Sequence, residues 1–153
     1  MKITLCGSMK FHDEMEKIAK ELESAGHEIK VPLLRIEVKE KGRDRKMSIR
    51  AFIESNGGID SFSNDHDIWE EKSNAIDDHF KKVEWCDAVL VANYPKHEID
   101  GYVGGNTLME VGLARYLRKK IYLLQPISSK LSYKEEILGM KPIVIDGDLS
   151  KIK

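Results

Sequence analysis

The sequence predicts an α/β protein: a doubly wound, five-stranded parallel sheet, flavodoxin- or Rossmann-like, with strand order 2-1-3-4-5. Three observations predict it. Apolar runs of strand length alternate with stretches of helical periodicity along the chain. The first strand–helix–strand passage takes roughly 30 residues, the length of a parallel crossover. The third run, Asp87-Ala88-Val89-Leu90-Val91-Ala92-Asn93, is apolar throughout its middle, as a strand covered on both faces must be.

Taken in order, residues 2–6 read as a buried strand ending at Gly7-Ser8. Residues 11–25 read as a helix, because Met15, Ile18, Ala19 and Leu22 recur at its spacing and Gly26 supplies a stop. Residues 28–31 form the second strand, closed by Pro32. Residues 87–93 are the third. A polar, glycine-rich loop over 94–105 leads to a helix over 107–117, in which Leu108, Val111, Gly112 and Ala114 are packing positions. Residues 121–124 are the fourth strand, 133–138 a short helix and 142–145 the last strand.

The stretch between the second and third strands has a different texture. Residues 35–50 hold seven basic and three acidic side chains, and residues 60–78 hold seven acidic and one basic. Apolar residues punctuate both, so neither is a tail. The expectation is a helix near 45–54, a loop at Gly57-Gly58 and a second helix over 67–85, making a helical insertion at about 33–78 within a single domain spanning 1–153. The opposite charges either pair or form two solvated faces. His66 and Trp69 lie here as candidates for stacking on a base, against the alternative of an amphipathic helix with one buried tryptophan.

Composition narrows the function. The chain has 153 residues, 41% apolar and 33% charged, with 25 basic and 26 acidic side chains and a net charge of −1. Nucleic-acid polymers are not the expected partner, because their binders are usually basic. No run reaches the ~18 apolar residues of a membrane span, and the first apolar run is too short for a signal peptide. Cys6 and Cys86 have no metal spacing and each adjoins an apolar run, so both read as buried, reduced thiols and the expected location is cytoplasmic.

In a doubly wound sheet, ligands bind beyond the carboxyl ends of the strands, where the strand order reverses. Two loops meet there. The first, Gly7-Ser8-Met9-Lys10, offers a glycine, a hydroxyl and a cation at a helix start, which suits an anion; it equally suits an ordinary turn capped by Ser8. The second runs Asp100-Gly101-Tyr102-Val103-Gly104-Gly105-Asn106-Thr107-Leu108-Met109-Glu110. Thr107 and Glu110 have capping-box spacing. The same glutamate, opening toward the crevice beside Gly104 and Gly105, can instead attack an anomeric carbon. Tyr94 and Tyr102 flank this loop. No histidine–carboxylate set has metal-ligand spacing, and no serine sits in a nucleophile elbow.

Cys6-Gly7-Ser8-Met9, Trp85-Cys86-Asp87-Ala88-Val89-Leu90-Val91 and the segment from Gly104 through Glu110 and Gly112 to Leu124 together resemble the nucleoside 2-deoxyribosyltransferase family, which includes 2′-deoxynucleoside 5′-phosphate N-hydrolases. The resemblance covers residues 1–32 and 79–125. It implies cleavage of an N-glycosidic bond in a (deoxy)nucleoside or nucleoside 5′-monophosphate through a glycosyl-glutamate, by hydrolysis or base transfer. Glu110 would be the nucleophile. His79, or Asp78 beside it, stands near the family's second aspartate. Gly7, Ser8, Lys10, Asp100, Gly104, Gly105 and Asn106 would bind substrate, with no metal or organic cofactor. The family pattern departs at Gly104, where an aspartate or serine is usual, and at Asn106, where a glycine is. A non-catalytic nucleotide-binding or sensor module of the same fold is the rival reading. The resemblance also implies a homodimer or larger homo-oligomer, and the width of the apolar stripe on helix 107–117 agrees with a partner surface.

Overall fold

A computed structural model describes residues 1–153. In chain order the elements are β1 (Lys2–Gly7), α1 (His12–Ser24), β2 (Glu28–Lys30), β3 (Ile36–Glu40), β4 (Arg43–Met47), α2 (Ile49–Ser55), α3 (Ile68–Trp85), β5 (Ala88–Ala92), α4 (Gly105–Tyr116), β6 (Lys120–Leu123), α5 (Lys134–Gly139) and β7 (Ile143–Val144). The chain divides into two compact units, Met1–Pro32 with Phe80–Lys153, and Leu33–His79. No helix is long and apolar enough to cross a membrane.

The first unit is an α/β layer structure around a parallel five-stranded sheet of order β2-β1-β5-β6-β7. Leaving out the hairpin strands β3 and β4, this is the expected order 2-1-3-4-5. The pleat sorts the side chains. Ile3, Leu5, Leu90 and Tyr122 pack with Met15, Ile18, Ala19 and Leu22 of α1 on one side. Cys6, Val89, Val91, Ile121 and Leu123 pack with Val111 and Ala114 of α4, Val83 of α3 and Ile137 of α5 on the other. The α1 residues are those the periodicity selects, and burying each large apolar side chain contributes about 1.5–3 kcal/mol. Gly26, at φ +89, ends α1: its N–H donates to Glu23 and that of His27 to Leu22, a Schellman closure that needs the left-handed conformation. Crossover α1 and crossover α4 lie on opposite faces, so the order reverses between β1 and β5.

Beyond the carboxyl ends of β5 and β6 the ladder continues through a side chain. Asn93, 1% exposed, donates from Nδ2 to the Gln125 carbonyl at 2.8 Å and accepts at Oδ1 from the Gln125 N–H at 2.9 Å. The loop from β5 to α4 leaves the sheet at this point.

The second unit departs from expectation. The helix foreseen near 45–54 begins only at Ile49; residues 43–47 are instead β4, paired antiparallel with β3 across the two-residue turn Lys41-Gly42. Both turn residues have positive φ, 50° and 75°, the geometry that matches strand twist in a tight hairpin. Cross-strand partners Glu37 and Lys46, Lys39 and Asp44, and Glu40 and Arg43 have opposite charges, which favours strand pairing over a helix. The insertion is therefore a hairpin followed by helices. Ser48 caps α2 by accepting from the Ala51 N–H at 3.1 Å. Ile49, Ile53 and Ile68 make a small core with Phe52, Phe62 and Trp69. The basic and acidic stretches meet through Arg35, whose guanidinium lies 3.7 Å from Glu71 and 3.8 Å from Asp78. Within the hairpin, Arg45 pairs with Glu40 at 2.7 Å and Lys46 with Glu37 at 3.7 Å.

Candidate active site

Helix α4 starts earlier than the sequence spacing suggests. Gly104 is its N-cap, with no side-chain cap bond, and the first turn closes from the Leu108 N–H to the Gly104 carbonyl at 2.9 Å. Thr107 is then already inside the helix, 3% exposed and part of its buried face, so it does not form a capping box with Glu110. The cap is main chain alone: Gly104 is extended, at φ −82 and ψ 170, and its carbonyl accepts the first helical bond.

Glu110 consequently sits in the second turn of α4, half-buried, on the flank of the stripe made by Thr107, Val111 and Ala114. A carboxylate oxygen of Glu110 and the sulfur of Cys6 lie within 4.8 Å of each other, so the buried thiol and the carboxylate are neighbours. Cys6 is fully buried at the carboxyl end of β1, in register with Val91 of β5. Burial raises its pKa well above the usual thiol range, and the neighbouring Glu110 carboxylate raises it further. The pair therefore holds a neutral thiol against the carboxylate. Next along β1, Gly7 sits where a Cβ would meet the Ala92 carbonyl at 3.2 Å and the Met15 sulfur at 3.3 Å, so the strand end needs a glycine to stay close to β5.

Ser8 caps the 3-10 turn Met9–Phe11, accepting from the Lys10 N–H at 3.4 Å. Its hydroxyl also accepts from the Lys96 ammonium at 2.9 Å. Lys10 itself is exposed, with its ammonium 5.6 Å from the Phe11 ring centre. The cation that reaches the first loop is thus Lys96, from the loop after β5. That loop folds back at a tight turn in which Lys96 and Ile99 exchange backbone bonds of 3.1 and 3.0 Å, with His97 and Glu98 both at positive φ. The Tyr102 ring packs edge-on against His97 and lies 5.9 Å from the Lys96 ammonium. Tyr133 donates its hydroxyl to the Val103 carbonyl, which fixes the last stretch before α4.

The expected site residues fall into three groups. Gly7, Ser8, Gly104 and Glu110 stand at the carboxyl end of the sheet or at the start of α4. Lys10 and Asp100 are exposed, while Gly105 and Asn106 occupy the exposed first turn of α4. Asp78 and His79 belong to the second unit: Asp78 is ion-paired with Arg35, and His79, 6% exposed, is buried on α3. Cys6, Lys96 and Asn93 complete the surroundings, and the sequence reading did not single them out as site residues. The signal available for Cys6 was its place directly before the strand-end glycine; for Lys96 and Asn93, it was their position in the loop leaving the central strand.

No family model and no curated protein matches the sequence. Solved structures do resemble the fold. A CMP N-glycosidase from Clostridium botulinum is 18% identical, with a TM-score of 0.48, over 94% of this chain and 84% of that one. A 2-deoxyribosyltransferase from Bacillus psychrosaccharolyticus is 16% identical, with a TM-score of 0.49, over 92% and 82%. A conserved protein from Enterococcus faecalis is 10% identical, with a TM-score of 0.49, over 95% and 90%. At these identities the likeness is one of fold.

Proposed function

We propose that this protein cleaves the N-glycosidic bond of a (deoxy)nucleoside or nucleoside 5′-monophosphate, with Glu110 as nucleophile. The observation that carries the reading is the placement of Glu110: a half-buried carboxylate at the sheet's switch point, beside a buried thiol rather than in a helix cap. In the reaction, a Glu110 oxygen bonds to the anomeric carbon as the bond to the base nitrogen breaks. The electron pair of that bond leaves with the base, which takes up a proton. Water, or a second base, then attacks the same carbon and releases Glu110, so the configuration is retained. His79 or Asp78, the two expected proton donors, would supply that proton. Ser8 and Lys96 would bind a 5′-phosphate, where a hydroxyl and an ammonium give charge-assisted bonds. The exposed outer side of α4, with Tyr116 82% and Met109 45% exposed, would face a second copy of the chain.

The test is a panel of nucleosides and 5′-monophosphates, with free base followed by chromatography and a second base added to reveal transfer. Base release that disappears in Glu110→Gln supports the enzyme. Gly104, in place of the family's aspartate or serine, favours the rival reading of a sensor; ligand-induced thermal stabilisation without any base release would establish that reading instead.

A further inference from the structure

We propose that Cys6 is a positioning residue for Glu110: its buried thiol donates to the carboxylate and fixes which oxygen faces the anomeric carbon. This rests on the glycosidic reading above and assigns to that site a residue outside the reacting groups. The geometry begins with the β1 pleat, which puts Thr4 and Cys6 on the α4 side of the sheet. The neighbouring donors on that side end on main-chain carbonyls: Thr4 Oγ1 on Lys82 at 2.7 Å, and the Cys86 thiol on Val83 at 3.2 Å. The Cys6 sulfur instead lies within 4.8 Å of a Glu110 carboxylate oxygen. It is 0% exposed, so water cannot substitute as its acceptor.

The chemistry suits a nucleophile. A lysine or arginine at this point would orient the carboxylate but also neutralise the charge needed for attack. A thiol is a weak, uncharged donor. It restricts the glutamate rotamers and leaves most of the negative charge on the attacking oxygen. When that oxygen becomes an ester, the lost bond is a weak one, so the covalent state is not disfavoured. The thiol proton stays on sulfur throughout; only the carbon–nitrogen bond breaks and only the carbon–oxygen bond forms. Burial and the adjacent carboxylate both keep that proton in place.

The experiment compares wild type with Cys6→Ala, Cys6→Val and Cys6→Ser on a monophosphate or nucleoside that the panel shows to be cleaved, recording kcat, KM and the pH profile of kcat/KM. Alanine and valine both remove the donor, and valine keeps the space filled. Each should lower kcat by about tenfold, the effect of one hydrogen bond to a charged group at the low end of its range, with KM little changed. The acid limb of kcat/KM should move to higher pH in both, because losing a donor to the charged form raises a carboxyl pKa. Serine restores a donor and should return kcat and the acid limb toward wild type. A folded Cys6→Val with wild-type kcat and an unmoved acid limb would overturn the role of Cys6 alone. A wild type that releases no base from any compound overturns it together with the glycosidic reading.

Discussion

Gly101→Ala should destabilise the protein severely, and the size of the effect follows from the neighbourhood of that residue. Gly101 has φ +62, and a Cβ built on it would lie 2.0 Å from the Pro126 carbonyl oxygen and 3.0 Å from its carbon. The left-handed conformation alone costs an L-residue about 1–2 kcal/mol. The overlap is with main chain, so no side-chain rotation relieves it; residues 125–126 or the loop must move by an ångström or more. The third neighbour is Asn93 Nδ2 at 3.2 Å, so the movement strains the paired bonds between Asn93 and Gln125. Each such bond contributes about 0.5–1.5 kcal/mol. Together the effects come to about 2–5 kcal/mol, a large share of the roughly 5–15 kcal/mol typical of a domain. At about 2–4 °C per kcal/mol for a chain of this size, Tm should fall by roughly 4–20 °C. Urea denaturation followed by circular dichroism gives the free energy directly. A loss below about 1 kcal/mol would refute the reasoning, since it would mean that the loop relaxes without disturbing the 125–126 segment. Gly112→Ala is the matched control: it lies inside α4 with open space around its Cβ position and should stabilise by about 0.5–1 kcal/mol through helix propensity.

Glu110→Gln should abolish base release while keeping ligand-induced thermal stabilisation; full activity would remove Glu110 from the reaction. Lys96→Ala should shrink any preference for a 5′-monophosphate over its nucleoside by about ten- to a hundredfold, as loss of a charge-assisted contact predicts, whereas Lys10→Ala should leave it unchanged, both read by calorimetry. Stability should decline above the ordinary thiol pKa of about 8.5, because unfolding then exposes thiols that release protons the folded state retains. Cys6 and Cys86 both have raised pKa values through burial, so the slope should reach at most about 1.4 kcal/mol per pH unit for each thiol, and Cys6→Ser should flatten it in urea melts from pH 8 to 10. Light scattering at micromolar concentration should give about twice 17.5 kDa, and Tyr116→Lys with Met109→Lys should return the single-chain mass.

The parallel sheet was legible because its strands are buried on both faces and its first helix carries a clean stripe; Met15, Ile18, Ala19 and Leu22 are all buried as the spacing requires. The hairpin was not. In β3 and β4 most positions are charged, so a period of two left only Ile36 and Val38 to mark it, and the turn signal Lys41-Gly42 lies among lysines and arginines that also suit a helix. Glu110 was legible as a candidate, yet sequence spacing alone offered a capping box as well. What separates the two is the start of α4 at Gly105, set by chain geometry around Gly104 rather than by any side chain. Lys96 was missed because Lys10 is nearer to Ser8 in sequence, while the partner of Ser8 comes from 88 residues away.

The amide of Asn93 has one further consequence. Because it carries a donor and an acceptor in the arrangement of a peptide group, it supplies the next rung between β5 and β6 after the main chain has departed. The sheet is thereby sealed at its carboxyl edge by a single side chain, independently of the seven residues 94–100 that follow. Those residues, Lys96 among them, become an exchangeable cassette: their length and chemistry can change without unzipping a strand. A fold hinged in this way can exchange one loop for another, provided the asparagine stays.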